Sequence, residues 1–447
     1  MRLELKRRIA MRSKRFDSTR LTRRAFLGTA ANTAIGVWGL SAGLARKAEA
    51  TRVLTFQTWS DYTPASDRVL KKQTRRFNKK HKGIEVELEF ISLNDRPAKV
   101  AAAIESGAGP DIVLFWYGEA RLYEYSLHTV DDLCNRLSQK YGDWAPAIKS
   151  ANFMNGHWKA IGWNHIPQGP TYREDILKQA GWEKFPDTWH DLLRYAKDLK
   201  KKKLPPVALT LGHAIGDANA NAYACLWSFG GKEVEEDGKT IAINSKETEE
   251  AVEFMRELYE YMDPSVLAWD DSNNNRAFLA GAISVTTNAV SIYNVAKRDV
   301  PELTSKMNHT IPWKGPAGRR SIGITLSFGI PSYSKNLDIA EQYIEYLLDR
   351  EQFSPWLAVG TGMHAGVLRA YDDDPFWDAD PRIRGFKDNA KYIYLPGYPG
   401  PPTREAAEIQ SKFIIVDMFV KAIQGTPTKK AILWAESEIM KIHKKSA

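Results

Sequence analysis

From Thr51 onward the hydrophobic and polar positions switch between two periods. Val53-Leu54-Thr55-Phe56 is a short apolar run followed by the turn-like Ser60-Asp61-Tyr62. Ser66 to Lys80 carries Val69, Leu70 and Phe77 at helical spacing and predicts an amphipathic helix. Ile84 to Ile91 alternates apolar with acidic residues, the pattern of a half-buried strand. Ala98 to Glu105 reads as a helix stopping at Gly107. Pro110-Asp111 then introduces Ile112-Val113-Leu114-Phe115, a fully apolar run suited to a central parallel strand. Strands alternating with helices predict an open α/β sheet. Ligands of such sheets bind beyond the carboxyl ends of the strands. That rule points to Trp59-Ser60-Asp61-Tyr62 after the first strand and to Trp116-Tyr117-Gly118-Glu119 after the third.

A second α/β segment begins near Gly156. Lys159-Ala160-Ile161-Gly162 predicts a strand with Trp163-Asn164-His165 at its carboxyl end. Asp187-Thr188-Trp189-His190-Asp191 marks a helix start, with Thr188 capping and Asp191 three residues on. Its closing Lys run is a solvated last turn that complements the helix dipole. Ser245 to Tyr261 is a further helix capped by Ser245, and Glu405 to Ile423 another, closed by Gly425.

Charge changes this picture at one end only. The 447 residues are 43% hydrophobic and 26% charged, a globular balance with room for two or three domains. A net charge of +9 invites a nucleic-acid reading. Yet twelve Lys and Arg against three acids lie between Met1 and Ala50, and the remainder has 51 of each sign. No nucleic-acid partner is expected. Those fifty residues have the layout of a targeting signal: a basic stretch to Arg23-Arg24-Ala25-Phe26-Leu27, an apolar run to Leu44, then Ala48-Glu49-Ala50. The arginine pair resembles the twin-arginine motif. A membrane anchor is the alternative, since Phe26 to Leu44 approaches the roughly 20 residues of a span. Its Gly and Thr content and the Ala-x-Ala ending favour a cut near Ala50. Cys134 and Cys225 lack metal-ligand spacing and are expected to be buried free thiols.

Five segments, in order, resemble the bacterial extracellular solute-binding family of ABC importers, the group that includes maltose-binding and other sugar-binding proteins. They are Ala101 to Val113 with Gly109-Pro110-Asp111; Tyr172-Arg173-Glu174-Asp175 through Ala180-Gly181 to Thr188-Trp189; Phe278 to Ile283; Ser334-Lys335-Asn336 with Ala340; and Gly425 to Ala431. Ile283 stands where the family has a small residue, and Met363-His364 where it commonly has Pro. The resemblance implies a type II-like periplasmic-binding-protein fold of two α/β lobes joined by crossing strands. One lobe would take residues 51–155 and 323–365, the other 156–322 and 366–447.

Sugars are held by aromatic faces and by polar groups that fix hydroxyls in a largely apolar cleft. Trp59, Trp116 and Trp163 are the candidate aromatic walls, with Tyr62 and Tyr117 next, though bulky Trp is also a common core residue. Asp61, Glu119, Asn164 and His165 are the candidate polar partners. The resemblance adds Trp227, before Phe229-Gly230-Gly231, and Asn288, after the Ile283–Thr287 strand. Arg404 would favour an acidic ligand through bidentate bonds if it reached the cleft. Together these features predict a periplasmic, monomeric receptor of an ABC permease, exported by the twin-arginine translocase, that captures a sugar, oligosaccharide or polyol by hinge closure. No cofactor or metal is expected. A polyamine or ferric-ion receptor of the same fold is the alternative ligand class. A secreted carbohydrate-active enzyme would need two carboxylates at a set separation, and none of the common nucleophile, zinc, phosphate or dinucleotide motifs is present.

Overall fold

In the computed structural model, which describes residues 51–446, strand β1 (Arg52–Trp59) pairs in parallel with β2 (Ile84–Ile91) along its whole length. The expected leader, with its arginine pair and the expected cut near Ala50, lies outside the described residues. The crossover is the helix Pro64–Lys80, which buries Leu70 and Phe77 against the sheet. Backbone bonds Gln57 N–Ile112 O and Ile112 N–Thr55 O, each 2.9 Å, attach β3 (Val113–Trp116) on the other side of β1. Asp111 explains why Pro-Asp precedes this strand. Its carboxylate accepts from Thr55 N (2.8 Å) and from Ser334 Oγ (2.7 Å), tying β1 to the late Ser334–Asn336 loop.

Two further strands complete this sheet. β4 (Ile161–Ile166) and the returning β8 (Ile324–Gly329) are antiparallel to each other, and β8 is also antiparallel to β3. The order is therefore β2-β1-β3-β8-β4. Gly329 is required here, because a Cβ would lie 2.1 Å from the Phe115 ring. The expectation that residue 156 opens the second lobe needs correction. β4 hydrogen-bonds to β8, so the chain leaves the first sheet only after Ile166.

In the second sheet β5 (Gly169–Arg173) runs between β6 (Val285–Asn288) and β7 (Met307–His309), antiparallel to both. The helix Asp217–Phe229 has almost no charged residue and is buried nearly all round. Helix Trp189–Lys201 starts as its sequence predicts, with Thr188 Oγ1 accepting from Asp191 N at 3.0 Å. Ser245 Oγ caps Lys246–Tyr259 in the same way, accepting from Thr248 N. The single late helix expected over 405–423 is two, Arg404–Ser411 and Ile414–Ile423. Phe413, at φ 56°, turns the chain between them while its ring stacks on His213 at 4.6 Å.

The two sheets communicate through three crossings. Pro167 and Gln168 link β4 to β5, and Gly323 precedes β8. The chain leaves the first lobe for the last time beyond Tyr371, since Leu368 bridges Trp144, Arg369 N donates to Asp143 O and the Tyr371 hydroxyl donates to Leu348 O. Cys134 and Cys225 are buried and unpaired, and burial pushes both thiols up. Among the described residues no helix is long and apolar enough to cross a membrane.

Candidate functional site

The ends of β1 and β3 place four aromatic rings together. Trp59 meets Trp116 edge-on at 5.1 Å and Tyr62 at 5.5 Å. Tyr117, at φ 52°, is held by β8, donating its N–H to Thr325 O while Thr325 Oγ1 donates to Tyr117 O. Its hydroxyl crosses to the second lobe and donates to the Ile215 and Gly216 carbonyls at 3.1 and 3.2 Å.

Two buried acid–base side-chain pairs brace this wall. Arg96 donates to both Glu119 oxygens, at 2.5 and 2.8 Å, and Glu119 also accepts from Trp116 N at 3.0 Å. His364 Nε2 meets Asp61 Oδ2 at 2.6 Å, its Nδ1 meets Asn164 Oδ1 at 3.0 Å, and its ring stacks on Trp356 at 4.2 Å. Asp61 also accepts from Thr63 N at 2.6 Å, which fixes the turn that carries Tyr62.

The facing wall is acidic. Asp217, the first residue of its helix, accepts from Gln168 Nε2 at 2.8 Å and from Asn274 Nδ2 at 2.6 Å. Asp271 accepts from Gly216 N (3.1 Å) and Asp217 N (2.7 Å), so it caps that helix where the dipole favours an anion. A Cβ on Gly216 would come 2.9 Å from Asp271 Oδ1, so this approach needs glycine. Burial first, then the neighbouring Asp271 charge, holds the Asp217 carboxyl well above the usual range. Burial raises Asp271 as well, against the backbone N–H bonds it accepts.

Between the walls, Tyr62, Leu93 and Trp116 face Asp217, Asp271, Asn288 and Ser291, over a floor of Ile166, Gln168, Ile324 and Met363. The space left is about 20 Å³, enough for about one water molecule. A sugar-sized ligand therefore needs the walls to separate. Trp116 Nε1 and Gln168 Oε1 have no hydrogen-bond partner among the described residues. A larger depression, about 760 Å³, lies between helices Trp189–Lys201 and Lys246–Tyr259, and no strand-end candidate lines it.

Residues 72–385 match the family model of the bacterial extracellular solute-binding proteins. The chain belongs to this family. A probable ABC transporter-binding protein of Deinococcus radiodurans is 21% identical over 293 residues, which are 64% of this chain and 68% of that protein. Maltose-bound MalE3 of T. maritima superposes with a TM-score of 0.75 at 20% identity, covering 87% of this chain and 99% of its own. A sugar transporter protein of Arthrobacter chlorophenolicus with bound laminaribiose gives 0.76 at 17% identity, with coverage of 87% and 99%. At these identities the likeness establishes the two-lobed fold.

In this solute-binding protein the sequence candidates separate into three groups. Tyr62, Trp116 and Asn288 line the interlobe cavity. The Asn288 Nδ2 donates to Asn275 Oδ1, and its Oδ1 accepts from Ser291 Oγ. Trp59, Asp61, Tyr117 and Asn164 stand behind the cavity and hold the wall through the contacts above.

The third group corrects the sequence reading. Trp163 is stacked between Phe328 and Trp356, both at 4.9 Å, because its side of β4 faces the first core. Glu119 is committed to Arg96. His165 lines a separate cavity of about 510 Å³ with Trp144, Arg369 and Trp377, and burial pushes its imidazole down to about 4. Trp227 is a core residue whose Nε1 donates to Glu233 at 3.1 Å. Arg404 is exposed at the start of its helix. Sequence reasoning missed Asp217, Asp271 and Gln168. The strand-end rule, applied to the Val207–Thr210 segment, would have led to Gly216-Asp217.

Proposed function

We propose that this protein captures a sugar or polyol between its two lobes and presents it to the membrane subunits of an ABC permease. The observation that carries the reading is the pair of unpartnered atoms at the cavity. Trp116 Nε1–H needs an acceptor and Gln168 Oε1 needs a donor, and a hydroxyl is both. Aromatic walls beside those groups suit the C–H faces of a sugar. The ligands named for the structural neighbours, maltose and laminaribiose, support the same chemistry. Family membership supports binding without turnover. A polyamine, with donors alone, would leave Trp116 Nε1 without an acceptor, and this ranks it below a hydroxylated ligand.

The reading extends to three points. The leader directs twin-arginine export and is cut near Ala50, leaving a receptor outside the cytoplasmic membrane. The first lobe comprises residues 51–166 with 323–371, and the second the rest. Ligand enters with the lobes apart, contacts one wall, and closure brings up the other.

A thermal-shift screen of sugars, polyols, polyamines and organic acids on residues 51–447 tests this. A sugar or polyol should raise the unfolding temperature and be recovered unchanged, since a ligand at 100 times its Kd stabilises by about 2.7 kcal/mol. Stabilisation by polyamines alone, or consumption of the sugar, would overturn the reading.

A further inference from the structure

The carboxylates of the two walls are treated differently. Asp61 and Glu119 of the first lobe each face a basic side chain, His364 and Arg96. Asp217 and Asp271 face none among the described residues, although both are more than nine-tenths buried. Arg276, whose charge is felt at Tyr62, is tied to Ser272 Oγ and Asn273 Oδ1 on the exposed side of its helix.

We infer that the ligand is a small polyhydroxylated amine, its ammonium seated against Asp217 and Asp271 and a hydroxyl against Trp116. The inference rests on the sugar or polyol reading and adds a positive charge to it. Asp271 is partly explained by its capping of the Asp217 helix. Asp217 is not, because its oxygens receive only the neutral amides of Gln168 and Asn274. Burial of two adjacent carboxylates without a counter-charge favours the protonated form of Asp217, and an arriving ammonium takes the place of that proton. The hydrogen-bond inventory points the same way. The carboxylate oxygens and Gln168 Oε1 all accept, and an ammonium brings three donors and no acceptor. Trp116 Nε1 is a buried donor at the cavity with no partner among the described residues, and it takes the hydroxyl oxygen. Trp116 and Gln168 are 2% and 6% exposed, so both atoms are withdrawn from bulk solvent. The Tyr62 ring, also at the cavity, offers a face to a cation.

Matched pairs test this by calorimetry at pH 7: D-glucosamine with D-glucose, D-galactosamine with D-galactose, and glucamine with sorbitol, each beside its N-acetyl derivative. In at least one set the free amine should bind at least about tenfold tighter than both the neutral and the acetylated member. Asp217→Asn should erase that preference without lowering the unfolding temperature of the unliganded protein. A neutral member binding as tightly as its amine overturns the inference and leaves the sugar reading intact. Silence from every member overturns both. The wild-type comparison decides the matter alone should D217N fail to fold, and a folded D217N that keeps the preference also overturns it.

Discussion

The two walls of the cavity are built from similar residue types but use their charges in opposite ways. On the first lobe each buried carboxylate is matched to a basic side chain, and the pair holds an aromatic ring: Arg96–Glu119 under Trp116, His364–Asp61 beside Tyr62. On the second lobe Asp217 and Asp271 are bonded to amides only. A matched carboxylate has spent its electrostatic capacity on position. An unmatched one keeps that capacity for whatever enters. The first wall is thus a braced surface and the second a recognising one.

The largest expected effect comes from unmatching a pair on the braced side. Arg96→Ala leaves Glu119 charged and buried, and removing one partner of such a pair costs about 3–5 kcal/mol. Urea unfolding should show that loss, and adding Glu119→Gln should recover part of it. A change below about 1 kcal/mol would mean that the pair does not brace the wall.

Next in size is a contrast between two tryptophans that the sequence places at strand ends, of which Trp116 does end its strand while Trp163 lies inside β4. Trp163→Ala removes a ring stacked on both faces in the core and should cost about 3–5 kcal/mol of stability. Trp116→Ala should instead cost at least about 2 kcal/mol of ligand affinity, the scale of a buried aromatic anchor. Denaturant titration and calorimetry on both variants separate the roles. Equal affinity losses would place both rings at the ligand.

That contrast also shows what the sequence could carry. Apolar runs bounded by turns located β1, β2 and β3, and the strand-end rule then led directly to Tyr62 and Trp116. The same rule failed at Trp163 because β4 is buried on both faces, so no polar alternation tells the core side from the cleft side. Glu119 looked like a free loop carboxylate because its partner, Arg96, sits on the preceding helix. Asp271 reaches the Asp217 helix from 54 positions away, and no local pattern announces such a meeting. Ring positions were legible as strand termini, while charge matching depended on folded proximity.

A smaller effect tests the charge balance of the first wall. Asp67 is half-buried, and burial first, then the nearby Asp61 charge, raises its carboxyl to about 7. A raised acid favours the folded state when protonated. Its contribution is complete below about pH 4, the unfolded value, and is lost as pH rises through 7. Asp67→Asn should therefore match wild type at pH 4 and unfold at a higher temperature at pH 8. Solvent around the side chain keeps the difference modest. Parallel curves from pH 4 to 8 would show that Asp67 titrates normally.

The smallest effect lies where the two walls touch. Tyr117 donates across the cavity to the Ile215 and Gly216 carbonyls, and such a bond contributes about 0.5–1.5 kcal/mol. Here the two states being compared are closed and open lobes, so the bond acts on their ratio. Tyr117→Phe keeps the ring beside Trp116 and removes only the hydroxyl. The unliganded variant should shift toward the open form by about two- to tenfold, visible as a larger radius in solution scattering. Ligand, which contacts both walls and sets their separation, should bring the variant and wild type to one common profile. If Y117F scatters like wild type without ligand, the closed arrangement is held by the packing of the walls, and the cross-cavity hydroxyl serves only to satisfy two carbonyls.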